Sequence, residues 1–154
     1  MLAKQNHRPL FTGGLEAARL KLWHVEALKK LRPKALFFAY DGPEDREPLF
    51  EAGKLLLSNG FNRASYNLRA YVLVGYSGDT LDAAEKRLHE CIAAGFMPMA
   101  MLYRDKSGER VPEWIRFARK WCRYPITSKK YRAFDLLSTG TVEKMEVQDE
   151  KKED

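Results

Sequence analysis

The chain has 154 residues, 45% of them hydrophobic and 12% aromatic, enough apolar material for one domain core and too little for two. No apolar run approaches the 18 or more residues of a membrane span, and residues 1–9 are polar and basic with no signal-like stretch behind them, so a cytoplasmic protein without a membrane partner is expected. The formal charge of +6 is uneven: residues 143–154 hold six acids against three lysines, which leaves about +9 on the body and suggests affinity for acidic partners or nucleotides.

In chain order, residues 8–12 read as the end of a strand and Leu15 to Leu31 as a helix with Leu15, Ala18, Leu22, Val25 and Leu28 on one face. Lys34 to Asp41 (KALFFAYD) is the first complete strand, almost continuously apolar as buried parallel strands are. A helix follows in which Leu49, Ala52, Gly53 and Leu56 recur at helical spacing, with Pro43 at its entrance and Gly60 at its close. Leu68 to Tyr76 (LRAYVLVGY) is the next strand. Its helix places Leu81, Ala84, Leu88 and Cys91 together, with Asp79 or Thr80 as N-cap and Gly95 at the end. Phe96 to Arg104 is a further strand, and a helix starting near Pro112 carries Trp114, Phe117, Ala118 and Trp121 on one face. The last segment, 136–154, is a charged tail expected to be disordered, which leaves one domain over 1–135.

Strands alternating with helices at this spacing imply right-handed crossovers and a parallel sheet. Three or four such strands cannot close a barrel, so the expected class is α/β, a partial β/α barrel with an uncovered sheet edge and face. The side chains expected on that open face are Phe37, Ala39, Val72, Val74, Met99 and Met101. Self-association or a complementary barrel half is the expected cover.

Ligands in such folds sit at the carboxyl ends of the strands, and those ends are chemically rich. They carry Thr12-Gly13-Gly14-Leu15-Glu16, Tyr40-Asp41-Gly42, Gly75-Tyr76-Ser77-Gly78-Asp79-Thr80 and Leu102-Tyr103-Arg104. Glycines admit a ligand to the backbone, carboxylates hold hydroxyls or amines, and tyrosines pack on flat rings, a set suited to a nucleotide-like ligand. The same residue types also serve as ordinary turn and capping residues.

The succession GGLEAARL, ALFFAYD, EPLFEAGKLLLSNGF, RAYVLVGYSGDT and MPMAMLYR, spanning about residues 8 to 125, resembles strands three to six of a radical S-adenosylmethionine (radical SAM) enzyme barrel. The resemblance implies S-adenosylmethionine as cofactor, with Val74 and Gly75 near its adenine or methionine part and Tyr76 beside them. It implies that Leu102 and Tyr103 line the adenine side, that Asp41 meets the ribose or the substrate, and that Glu16 and Arg19 meet the charged methionine end. The family's 4Fe–4S cluster is held by three cysteines in a C-x3-C-x2-C loop, which this chain lacks. The chain is therefore expected to be inactive alone, as a fragment, a split half or a degenerate descendant, with the cluster supplied by a partner or a missing N-terminal half.

Cys91 and Cys122 read as buried free thiols in helices. His7, His24 and His89 are scattered, and a His89-x-Cys91 pair diverges on a helix, so no metal site is expected. A basic nucleic-acid-binding α/β domain is the alternative, because Arg116 to Arg132 interleaves seven Lys or Arg residues with Phe117, Trp121, Tyr124 and Tyr131.

Overall fold

A computed structural model describes residues 7–106, 108 and 111–138. Four strands form: β1 (Leu10–Leu15), β2 (Ala35–Tyr40), β3 (Leu68–Val74) and β4 (Met97–Leu102). They pair in parallel in the spatial order β1-β2-β3-β4, which is also their order in the sequence. The helices are α1 (Leu22–Leu31), α2 (Arg46–Ser58), α3 (Leu81–Ala93), α4 (Pro112–Cys122) and α5 (Tyr124–Ser138). The fold class is thus as expected from the alternation, an α/β partial barrel of four parallel strands.

A sheet wound without reversal places every right-handed crossover on one face. The contacts agree, since α1 touches α2, α2 touches α3, and α3 and α4 both touch α5. The helix layer buries Leu36, Phe38 and Tyr40 from β2, Leu68, Ala70, Val72 and Val74 from β3, and Ala100 from β4. Facing them are Val25 and Leu28 of α1, Leu49, Ala52 and Leu56 of α2, Ala84, Leu88 and Cys91 of α3, and Ala118 and Trp121 of α4. The apolar stripes of α2 and α3 are therefore core, as their spacing indicates.

The alternate side chains, Leu10, Phe37, Ala39, Arg69, Tyr71, Leu73, Met99 and Met101, belong to the other sheet face, which no described helix covers. Phe37 and Tyr71 stack there with ring centroids 4.6 Å apart, and the Arg69 guanidinium lies 5.4 Å from the Phe37 ring. The expected open face is right for β2 and β4 and wrong by one residue for β3. Val72 and Val74 are fully buried under the helices, and Tyr71 and Leu73 take their places. Pairing decides this, because Val72 lies opposite Tyr40 and Ala100, both in the helix layer.

The entrance to the domain also differs from the helix expected over residues 15–31. Gly14 has φ +71°, and β1 keeps pairing through Leu15, opposite Phe38, after an irregularity between Phe11 and Leu15, so Leu15 is held in the sheet. Ala17–Arg19 make a single 3-10 turn, and Leu20 is extended. The α-helix begins only at Leu22, where Lys21 N donates to His24 Nδ1 at 3.0 Å. Leu22 and Trp23 are left exposed.

At the other end, α5 runs to Ser138, across the boundary expected at residue 135; the part of the expected tail at 139–154 lies outside the described residues. Cys91 is buried as expected, whereas Cys122 is exposed at the end of α4, its Sγ donating to Ala100 O at 2.9 Å.

Candidate functional site at the strand ends

The loop after β3 is the best-ordered of the four strand ends in chemical terms. Asp79 folds back so that Oδ2 accepts from Gly75 N at 2.8 Å and from Arg87 Nη2 at 2.8 Å. Arg87 Nη2 also donates to Leu73 O at 3.0 Å, which ties α3 to the last turn of the strand. Thr80 is the N-cap, its Oγ1 accepting from Ala83 N, so the Asp79-or-Thr80 choice resolves with each residue in a different role. Gly75 has φ +77°, and a β-carbon there would lie 2.9 Å from Leu102 Cδ1 and 3.0 Å from Trp114 Cδ2. Tyr76 is half-buried with the Arg87 guanidinium 5.2 Å from its ring centroid.

Seven of the eight candidate residues fall into three groups, and Val74 stands apart from them. Glu16, Arg19 and Asp41 come together around a cleft of about 440 Å³ at the ends of β1 and β2, with Ala17, Ala39 and Asp45 completing the wall. Gly75 and Tyr76 stand at the end of β3. Leu102 and Tyr103 line a separate cleft of about 420 Å³ between β4 and α4, shared with Ala100, Ile115, Ala118 and Arg119. Val74 is fully buried in the helix layer, and its carbonyl accepts from Tyr103 N at 2.8 Å. Leu102 shares that orientation, so the side chains of Val74 and Leu102 face the helices and not the open sheet face.

The first cleft is electrostatically acidic. Asp45 Oδ2 accepts from Asp41 N at 2.9 Å and Gly42 N at 3.1 Å, which fixes the turn after β2. The Asp41 carboxyl is held above its ordinary range by burial, then by the nearby Asp45 and Glu44 charges. Glu16 and Arg19 pair at 3.3 Å with both side chains mostly in solvent, a contact weak enough for a ligand to displace. This cleft can therefore hold an amine beside its carboxylates and an acid group on Arg19.

The chain's own residues do not fit an iron–sulfur cluster. Cys91 is packed in the helix–sheet core with its thiol held well above its ordinary range by burial, Cys122 lies at the β4 edge, and no group of three potential metal ligands forms among the described residues.

Sequence reasoning missed Arg87 and Arg63. Arg87 falls within the apolar stripe Ala84, Leu88 and Cys91, and a cation on a buried face is the signal that it has a partner. Arg63 donates to Ile92 O at 2.8 Å and Ala93 O at 3.0 Å, satisfying carbonyls at the end of α3. Nothing local in the sequence marks that contact.

These features define the class of the protein: an α/β partial barrel of four parallel strands in which no described helix covers one sheet face. No family model, no curated protein and no solved structure matches the chain.

Proposed function

We propose that the chain is the second half of a radical SAM barrel, contributing strand ends that contact S-adenosylmethionine and substrate, and that it works only with a segment supplying the cluster cysteines. The observation that carries this reading is the unreversed strand order β1-β2-β3-β4 with the helices on one face. A doubly wound sheet would reverse its order and cover both faces, whereas a barrel segment leaves the inner face free. The apolar open face, with Met101 46% and Leu10 54% exposed, is then the surface against which the complementary half packs.

In this reading Glu16 and Asp41 receive the ammonium of the methionine end and Arg19 its carboxylate. Gly75, Tyr76 and Tyr103 provide backbone and ring surface for the nucleoside, while Val74 and Leu102 support it from beneath. S-Adenosylmethionine supplies the radical only when reduced by a cluster, which this chain does not hold. The test is amide NMR of the full chain titrated with S-adenosylhomocysteine. Weak binding with shifts centred on Glu16, Arg19, Asp41 and Gly75, diminished in Asp41→Ala, supports the proposal. No shift at millimolar ligand, or submicromolar affinity without a partner, overturns it.

A further inference from the structure

The outward face of α4 carries Arg116, Arg119, Lys120 and Arg123 at the i, i+3, i+4, i+7 spacing that makes one stripe. All four are exposed, they line a common shallow cavity, and none forms an ion pair with any described residue. Other cations of the chain do pair, as at Arg46–Glu90, Arg87–Asp79 and Lys130–Glu85. The stripe extends about 10 Å along the helix axis, the length of about three phosphates in a stacked strand.

Arg119 belongs at once to this stripe and to the cleft between β4 and α4. That cleft is floored by Ala100, Leu102, Ile115 and Ala118 and flanked by Arg104 and by Tyr103, which is 45% exposed. A volume of about 420 Å³ lies within the ordinary range of small-ligand sites. An apolar cleft with an exposed phenol beside a row of free cations has the two parts that single-strand recognition requires: a place for an unpaired base and a track for its backbone. The acidic cleft at β1 and β2 lies at the opposite edge of the sheet, so the two ends of the strand row attract opposite charges.

We infer that the β4–α4 edge is a docking surface for single-stranded nucleic acid, with phosphates along Arg116, Arg119, Lys120 and Arg123 and a base in the cleft beside Tyr103. A single strand fits and a duplex does not, because a paired base cannot enter the cleft. The inference does not rest on the radical SAM reading: the two share Tyr103 and Leu102, but the cation stripe on which this one stands has no part in the other.

The test is fluorescence anisotropy of the full chain with a labelled twelve-nucleotide oligothymidine across a salt series. Three to four displaced counterions give a log–log slope of about −2 to −3. Arg116→Ala/Lys120→Ala should reduce the slope by about 1.4, and Tyr103→Ala should weaken binding about 5-fold or more while Tyr103→Phe restores it. Equal binding of a duplex or of polyglutamate, indifference to Tyr103→Ala, or no binding at low salt would each overturn the inference. Nucleic-acid binding lost in Arg116→Ala/Lys120→Ala with S-adenosylhomocysteine shifts at Asp41 unchanged would separate this surface from the proposed cofactor cleft.

Discussion

Asp79 and Arg87, eight residues apart, meet at 2.8 Å with side chains 1% and 9% exposed, and the same carboxylate oxygen holds Gly75 N. One buried ion pair thus fixes the end of β3, the loop after it and the second turn of α3. Arg87 Nε is itself buried without a hydrogen-bond partner, so the guanidinium depends on Asp79 for its charge balance. Asp79→Asn should cost about 3 kcal/mol in urea unfolding, because it leaves a buried charge unpaired. Asp79→Asn/Arg87→Met, which removes both charges, should recover a good part of that loss; equal costs would mean that the pair contributes no coupling.

Two glycines mark close approaches and should separate by severity. A β-carbon at Gly53 would lie 1.9 Å from the Ala94 carbonyl oxygen, where α2 crosses the end of α3, and backbone cannot yield. Gly53→Ala should therefore destabilise by about 3 kcal/mol or more. At Gly75 the clash is with the side chains of Leu102 and Trp114, which can shift, but the positive φ adds strain. Gly75→Ala should cost about 2 to 4 kcal/mol. Thermal or urea melts of the two variants check the order.

Alkaline pH should weaken the fold in two stages. Burial, reinforced by the Glu90 charge, raises Cys91, and burial together with the hydrogen bond to Glu90 raises Tyr40. In the unfolded chain these groups lose their protons near about pH 8.5 and 10. Above each of those values the native state holds more protons than the unfolded one, so stability falls as pH rises. Cys91→Ala should flatten the first stage. Tyr40→Phe should flatten the second, at a cost of about 1 to 2 kcal/mol near neutrality because Glu90 loses the Tyr40 donor at 2.5 Å and keeps Arg46 at 3.1 Å. Urea midpoints at pH 7, 9 and 10.5 provide the readout.

Asp41 gives a test of the strand-end cleft with the same sign, in the acid range. Its pKa is raised by burial and by Asp45 and Glu44, so its favourable contribution exists below about pH 4 and is lost as pH rises through the folded value. Near neutrality the ionised group repels its neighbours. Asp41→Asn should raise stability slightly, by no more than about 0.5 kcal/mol given its exposure, and less at high salt. Carboxyl NMR should show the Asp41 pKa falling toward the ordinary range in Asp45→Asn. The same fall on adding S-adenosylmethionine would place its ammonium in the cleft; an unchanged value at saturation would place it elsewhere.

The helices α2 and α3 were legible because their apolar residues recur at helical spacing and glycines or prolines bound them, all local signals. The strands were legible as apolar runs, yet their faces were not equally so. Along β3 both parities are apolar, Ala70, Val72 and Val74 on one side and Tyr71 and Leu73 on the other, so alternation cannot tell inside from outside. Arg69, the one charged residue of the strand, shares the parity of Tyr71 and Leu73 and lies on the open face. The late start of α1 was hidden because helical spacing persists through residues 15–28, while Leu15 stays paired in the sheet and Leu20 is extended.

By itself the sequence determined the alternation of strands and helices, the N-cap region of α3 and the lack of a C-x3-C-x2-C motif, since each depends on residues close together in the chain. Only the tertiary structure decided that Glu16 and Asp41 share a cleft, that Leu102 and Val74 turn toward the helices, that Asp79 serves Arg87 and not the helix cap, and that four cations along α4 and its C-cap form no ion pair with a described residue. Those relations depend on strand register and on which face the crossovers cover, and both are set by the burial of the whole apolar layer, which no short segment specifies.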